Sequence, residues 1–596
     1  MTAVPFGLLV LLAIIALTFL GLTERVLRRM RLSNPVAIIL LLIMIAGFFL
    51  PEVTIFPSVG IDLGGALVPL GVALYLIVTA DSKVEKSRAI LATVAAGALV
   101  YASDIFLHDD PGYLFFYDID PLYIPGIVGG IAGYLAGRSR RSAFIAGVGS
   151  VIISDVFAGL NNLVRGVRGA VVGIGGAGAF DAVIIAGVLA VVLAEVVGET
   201  REFFARARGG DGGGDGGGDG SQHRGQSRGS KGSVQQPGRD NFSTLSIGLV
   251  LLLSGAVIVG SSYYANVLGV GIDERPIDGR YFTMIDETTG TIVMQTGRVM
   301  TVGDEYISQN NVHYRVVAVK GLRATAQRLG IIDLLDESLF TIGAQGPDQP
   351  WGTEVSQPEA VKAQVIDFFR LFQPPDQRPD VPGDENDNDD GTADKGIIGI
   401  YHTHNDESYV RTSGTHSVYG QGGVHAVGGT LAEELREDGF TVVHSNNLHL
   451  PHDRGAYRRS RRTAAQILRE PGPIIAMFDI HRDAAPPGIY GNRVEDMFIT
   501  QIRLVVGRQN PGRSGNLRFA MELKALADDM FPGLIKDIYH AHGNYNQDIG
   551  PRMILLELGA HTNSRAAAQN GIKLFSQVID RYFTQRMEGA ISEGAR

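Results

Sequence analysis

The stretch 397-IIGIYHTHNDESY-409 decides how this chain folds. Its first part, 397-IIGIYHTH-404, is a β-branched apolar run of strand length, and a polar loop rich in histidine and acid follows it. A buried strand that ends in reactive side chains belongs to an α/β sheet, where functional groups collect beyond the carboxyl ends of the strands. The flanking sequence keeps the same texture. A helical run, 424-VHAVGGTLAEELREDG-439, ends on Gly439 as a helix stopping at a left-handed glycine does. Strand-like 440-FTVVHS-445, helical 457-YRRSRRTAAQILRE-470 and strand-like 474-IIAMFDIH-481 follow. Then come 499-ITQIRLVVG-507, the helical 515-GNLRFAMELKALADDM-530 and the strand-like 553-MILLELG-559. Strands alternating with helices predict a mostly parallel sheet covered on both faces over residues 396–596.

The chemistry of this region is concentrated in histidine. Eleven of the fourteen histidines lie between residues 402 and 561, a bias that an unspecialised surface does not need. On a strand, His402 and His404 share a face, and Glu407 lies three residues past His404. A His-x-x-Glu pair joined by a distant histidine supplies three protein ligands and leaves a fourth tetrahedral position open for water, the arrangement of a catalytic zinc. His481, ending another apolar strand, is the expected third ligand. Glu557, an acid within 554-ILLELG-559, is the expected general base and then acid. Arg482 is read as a clamp for a substrate carboxylate and Asp483 as the group orienting a metal ligand. His425 reads as a packing residue or alternative ligand, and His452 with Asp453 as a pocket pair or a loop. The chain has no cysteine, so any zinc here is held by His, Asp or Glu. The net charge of −10 argues against a nucleic-acid partner.

Outward from this domain the composition changes. Residues 374–395 are proline-rich and acidic, a solvated linker, and residues 265–373 read as a small β-rich subdomain of hairpins acting as a spacer or docking module. Apolar runs near 5–22, 36–52, 61–80, 88–107, 121–137, 142–161, 170–197 and 244–264 are candidate membrane spans. About seven of them make an all-α polytopic domain over 1–200, and a Gly/Asp-rich linker over 201–243 joins it to the last span, 244–264. Basic clusters at Arg25–Arg31, Lys83–Arg88, Arg138–Arg141 and Arg201–Lys231 alternate with acidic loops such as 108–120, while Arg165 and Arg168 run against the pattern. That alternation puts the basic loops in the cytoplasm and residues 265–596 outside it. Asp62, Asp104, Asp155 and Asp181 fall in or beside spans, where carboxylates are costly. They read as wetted helix ends or as functional groups. The glycine-rich 60-GIDLGGALVP-69 and 173-GIGGAGAFDA-182 suit close packing or broken helices.

The stretches 401-YHTHNDESYV-410, 424-VHAVGGTLAEELREDGFTVVHS-445, 452-HDRGAYRRSRRTA-464, 479-DIHRDA-484 and 545-YNQDIGPRMILLELGAHTN-563 resemble, in order, the stage II sporulation protein P family of bacteria. The resemblance implies a zinc-dependent N-acetylmuramoyl-L-alanine amidase that removes stem peptides from peptidoglycan, with endopeptidase cleavage of cross-links as a family trait. It also implies work at a membrane beside a glycan-cleaving wall enzyme and a membrane partner. Carried over by position, His404, Glu407 and His481 become the metal ligands and Glu557 the catalytic acid/base. A related amidase group takes its middle ligand from the helix after the first strand, where this chain offers His425 and Glu433. The front half resembles an uncharacterised family of bacterial integral-membrane proteins, which supplies no activity. Two further readings remain at this stage, a zinc carboxypeptidase acting on wall peptides and a wall-binding domain of a membrane transporter or sensor.

Overall fold

The computed structural model of the chain describes residues 18, 24–47, 53–56, 59–106, 124–137, 139–165, 172–176, 181–209, 281–335, 395–453, 455–510, 512–550 and 552–594. The expected spans at 5–22 and 244–264 and most of both linkers lie outside these residues.

The N-terminal region is helical. Helix α1 (Asn34–Gly47) is followed by short strands β1 (Val53–Phe56) and β2 (Val59–Ile61), a π-helical turn over Leu63–Leu67 and helix α2 (Val68–Val78). Helices α3 (Lys83–Phe106), α4 (Ile124–Gly137) and α5 (Arg140–Val164), strand β3 (Val172–Ile174) and helix α6 (Ala182–Gly209) complete it. By length and composition, α3 and α5 each hold a stretch able to cross a membrane, Lys83–Ile105 and Arg140–Val164. Among the described residues, the stretch 36–52 holds the 14-residue α1, 61–80 a continuous helix that opens with the π turn, and 170–197 strand β3 and the start of α6. The region is not all-α, because β1, β2 and β3 pair into a three-stranded sheet. Its glycines permit a close backbone approach. A Cβ on Gly65 would sit 1.9 Å from the carbonyl oxygen of Gly175, so these two segments touch backbone to backbone. Asp62 then caps the π-turn by accepting the Gly65 amide at 2.6 Å.

The rest of the described chain is built on one sheet. Its N-terminal strands are β4 (Phe282–Asp286), β5 (Ile292–Thr296), β6 (Glu305–Ile307), β7 (Val312–Lys320) and β8 (Arg323–Ile331). After the second linker come β9 (Ile397–Tyr401), helix α7 (Gly423–Glu437), β10 (Thr441–His444), helix α8 (Gly455–Ile467) and β11 (Ile474–Asp483). The hairpin β12 (Gly491–Val494)–β13 (Met497–Thr500), strand β14 (Ile502–Gly507), helix α9 (Arg513–Met530), β15 (Ile535–Ala541), β16 (Met553–Ala560) and helix α10 (Arg565–Gly594) finish the chain.

The sheet has eleven strands in the order β10-β9-β11-β16-β14-β15-β6-β7-β8-β4-β5. It is mixed, not mostly parallel. Five neighbouring pairs are parallel (β10·β9, β9·β11, β11·β16, β14·β15, β8·β4) and five are antiparallel. Two connections account for the reversals. A hairpin, not a helical crossover, leads into β14, which runs against β16. Strands 282–331 are joined by tight turns and add edge-on to β15 through β6. The strands of the expected β-rich subdomain continue the sheet of the C-terminal domain and cover an edge that would otherwise expose unpaired backbone groups. One large apolar core lies under α7, α9 and α10, with Phe478, Phe519, Phe575 and Leu556 buried in it. The opposite face, which includes Leu555 and Tyr539, packs against the added strands and Tyr457 of α8.

Candidate metal centre

Strand β9 ends at Tyr401, and the chain turns immediately beyond it. The turn is pinned by Asp479 of β11, whose Oδ1 accepts the Thr403 amide at 2.8 Å and whose Oδ2 accepts the Thr403 hydroxyl at 2.6 Å. This turn sends the two histidines to different places. His404 meets Glu407 and His481, while His402 stands with His425 (ring centroids 4.3 Å) and His444 (Nε2 to Nε2 2.9 Å). The strand alternation predicted for His402 and His404 fails because neither residue is on the strand.

His404, Glu407 and His481 are buried, and one ligand atom from each lies within 4.8 Å of the others. His404 Nδ1 is 3.3 Å from Glu407 Oε1, and His481 Nδ1 is 3.5 Å from Glu407 Oε2. Ligand atoms about 2.0–2.2 Å from a tetrahedral zinc are separated by roughly 3.4 Å, so the spacing fits that ion. The second nitrogen of His481, Nε2, lies 3.1 Å from Asp479 Oδ1, the carboxylate–histidine arrangement that orients a metal ligand. Glu407 is held by the Arg482 backbone amide, which donates to its Oε2 at 2.9 Å.

The electrostatics favour a cation at this point. Burial alone would discharge His481, yet the Asp479 and Glu407 carboxylates overcome it and raise the imidazole to about 10. Burial likewise opposes the charge on Glu407, but His481 and His404 hold it well below the usual carboxylate range. A bound metal ion would take the place of that proton.

Glu557 stands beside this cluster. It is paired in register with His481 across parallel strands β11 and β16, which places both on one face of the sheet. Burial pushes its carboxyl up to about 7 against the opposing pull of Arg298, with Asp483 and Glu407 adding to the rise. Arg298 Nε donates to Glu557 Oε1 at 2.6 Å, while Oε2 has no hydrogen-bond partner among the described residues.

The remaining expected residues take other places. The register shift beside His481 places its extra residue on β16, between Glu557 and Ala560, so β11 runs unbroken through Asp483. Asp483 accepts from Thr296 (2.7 Å), Tyr490 (2.7 Å) and Arg503 (2.8 Å), while Asp479 Oδ1 lies 3.1 Å from His481. Arg482 directs its guanidinium to the carbonyls of Ser408 and His416. His452 stacks on the His404 ring at 4.0 Å and bonds Asp406 at 2.7 Å. His425 lines a neighbouring cavity of about 440 Å³ with Ser408, Asn446 and Arg565, and Glu433 is exposed on α7. Sequence reasoning missed Asp479, Arg298 and Tyr457, whose ring lies 5.4 Å from that of His404. The alternation in 479-DIH-481 signalled Asp479; no local pattern signalled Arg298, 259 residues from its partner.

Residues 352–580 match the family model Stage II sporulation protein P (SpoIIP), and residues 20–193 match Protein of unknown function (DUF1614). Over 210 residues the chain is 28% identical to the stage II sporulation protein P of Bacillus subtilis (strain 168), an alignment covering 32% of this chain and 52% of that protein. The chain thus spans about half the length of the curated relative it matches. No solved structure matches it significantly. The metal cluster, Glu557 and the ordered elements from β9 to β16 all fall inside the first match, so the chain carries a SpoIIP-family domain in its C-terminal region behind an N-terminal DUF1614 domain.

Proposed function

We propose that the C-terminal domain is a zinc-dependent peptidoglycan hydrolase, an N-acetylmuramoyl-L-alanine amidase that detaches stem peptides and also opens peptide cross-links. The observation that supports it most is the convergence of His404, Glu407 and His481 next to a buried glutamate, Glu557. The peptidoglycan substrate rests on the sporulation-family relationship.

In this reading His404, Glu407 and His481 hold the zinc, with Asp479 fixing the His481 tautomer and the Arg482 amide fixing Glu407. Zinc, when bound, polarises the scissile carbonyl and acidifies a water molecule. Glu557, poised near neutrality, takes a proton from the attacking water at its open Oε2 and returns it to the leaving amine. Arg298 keeps enough negative charge on Glu557 for the first of these transfers. Burial of all four side chains excludes bulk water and strengthens each of these interactions.

The two span-length helices and the sporulation-protein relative support a membrane-bound protein, and the alternation of basic clusters supports several crossings with the hydrolase domain outside the cytoplasm. A glycan-cleaving wall enzyme and other membrane proteins are its proposed partners. The test uses the detergent-solubilised full chain on purified peptidoglycan. An amidase releases peptides with a new L-Ala amino terminus, whereas release of terminal D-Ala alone would make it a carboxypeptidase and sink the amidase reading.

A further inference from the structure

Helix α8 is unusual for a charge-rich helix because its arginines are buried. Arg458 and Arg462, four residues apart on one face, point into the N-terminal domain. Arg458 holds Asp104 with two bonds, at 3.1 and 2.7 Å, and Ser154 donates to the same carboxylate at 2.8 Å. Arg462 donates to Asp181 at 2.7 Å and to Asp155 at 2.6 Å. Just past the helix, Arg469 lies 3.5 Å from Asp62 and donates to the Gly176 carbonyl at 2.8 Å. All four carboxylates that stand out in the apolar half of the sequence are therefore engaged by arginines of the C-terminal domain.

The opposite face of α8 belongs to the metal centre. Tyr457 packs edge-on against His404, and the Ser460 hydroxyl lies 2.7 Å from the Thr403 hydroxyl, within hydrogen-bond distance. Two loops beside the cluster are also held from the N-terminal domain. Asn162 donates to the carbonyl of Leu450, two residues before the histidine stacked on His404, at 3.0 Å. Tyr419 donates to Asn162 at 2.7 Å while Arg165 lies 4.2 Å over its ring. In this docked arrangement, among the described residues, His404 and Glu407 are each 5% exposed and His481 is fully buried.

We propose that the DUF1614 domain is a latch for the hydrolase domain: the Asp104–Asp155–Asp181 socket grips α8, and Asn162 and Arg165 hold the flanking loops, so that docking keeps the metal centre closed and undocking opens it. The charges fit an intramolecular partner, since each guanidinium meets a carboxylate that would be costly to bury alone. The regulatory half of the proposal rests on the proposed hydrolase activity; the docking half does not.

The chain lacks cysteine, which makes docking directly testable in the full-length protein in native membranes. A Cβ built on Gly455 lies 3.2 Å from Asp104 Cγ, a separation compatible with disulfide geometry. The Asp104→Cys/Gly455→Cys variant is expected to form a disulfide that keeps the two halves together after proteolysis of the linker between residues 336 and 394. Absence of that cross-link, with both thiols open to maleimide, overturns the docking. Arg458→Asp, or the milder Asn162→Ala, is expected to raise peptide release from peptidoglycan roughly tenfold or more, the shift expected when a closed state loses a buried contact. Combining Arg458→Asp with Asp104→Arg should return the rate towards the starting value. A cross-linked protein whose activity is unmoved by either single variant contradicts the latch. A cross-linked protein as inactive as its Glu557→Gln form in every variant overturns the hydrolase reading and its regulation, and leaves the docking standing.

Discussion

His481 and Glu557 lie directly opposite each other on neighbouring parallel strands, a candidate metal ligand and an acid brought to one face by sheet register. Register between β11 and β16 therefore decides whether the centre works, since a one-residue slip would turn Glu557 to the other face.

Replacing Glu557 by Gln removes the proton shuttle and preserves shape. Peptide release should fall by about 10²–10⁴-fold, the usual worth of a general acid/base. Zinc content, measured by atomic emission on the same samples, should stay at that of the unmodified protein. A loss of zinc with the loss of activity would make Glu557 a ligand.

Zinc binding should expel a proton. His481, raised to about 10 by Asp479 and Glu407, is protonated at pH 7–8 in the metal-free protein. A metal ligand must be neutral, so calorimetry in buffers of different ionisation heat should report release of about one proton per zinc. Affinity should rise with pH over that range. Asp479→Asn removes the leading carboxylate on His481, and should reduce proton release and weaken zinc binding by roughly 10–100-fold.

Asp483→Asn separates the two aspartates of β11. Asp483 is tied to buried Arg503 at 2.8 Å and not to His404, Glu407 or His481, so zinc stoichiometry should hold while unfolding becomes easier by about 1–3 kcal/mol, because Arg503 keeps its two bonds to Asp537. Denaturant melts together with metal analysis separate the two effects.

Arg298→Ala should move the acidic limb of the pH–rate profile upward. Burial raises the Glu557 carboxyl and Arg298 lowers it, with the balance near 7. Without the guanidinium the group stays protonated to higher pH. Since the base must be ionised to accept a proton, activity should fall more at pH 6 than at pH 8.

How much of this could be read from sequence depended on distance along the chain. His404 and Glu407 are three residues apart, and His481 and Glu557 each interrupt an apolar strand, so local pattern exposed all four. The pattern misled where a strand stopped early, at Tyr401, because alternation holds only on an unbroken strand. Strand direction was illegible for another reason: β14 and β6 take their partners from remote segments, and nothing local records which way a neighbour runs. Arg298 and the arginines of α8 were hidden in the same manner. A charge run ordinarily reads as a solvated face, and only the carboxylates of a domain some three hundred residues away turn this one inward.

The most direct test is metal-dependent cleavage by the full-length protein. Purified chain should contain one zinc, release stem peptides bearing a free L-Ala amino terminus from peptidoglycan, lose that activity on chelation and regain it with added zinc. Undiminished release after the zinc has been removed, or a zinc-loaded and folded protein that frees no peptide even with Arg458→Asp in place, would contradict the account.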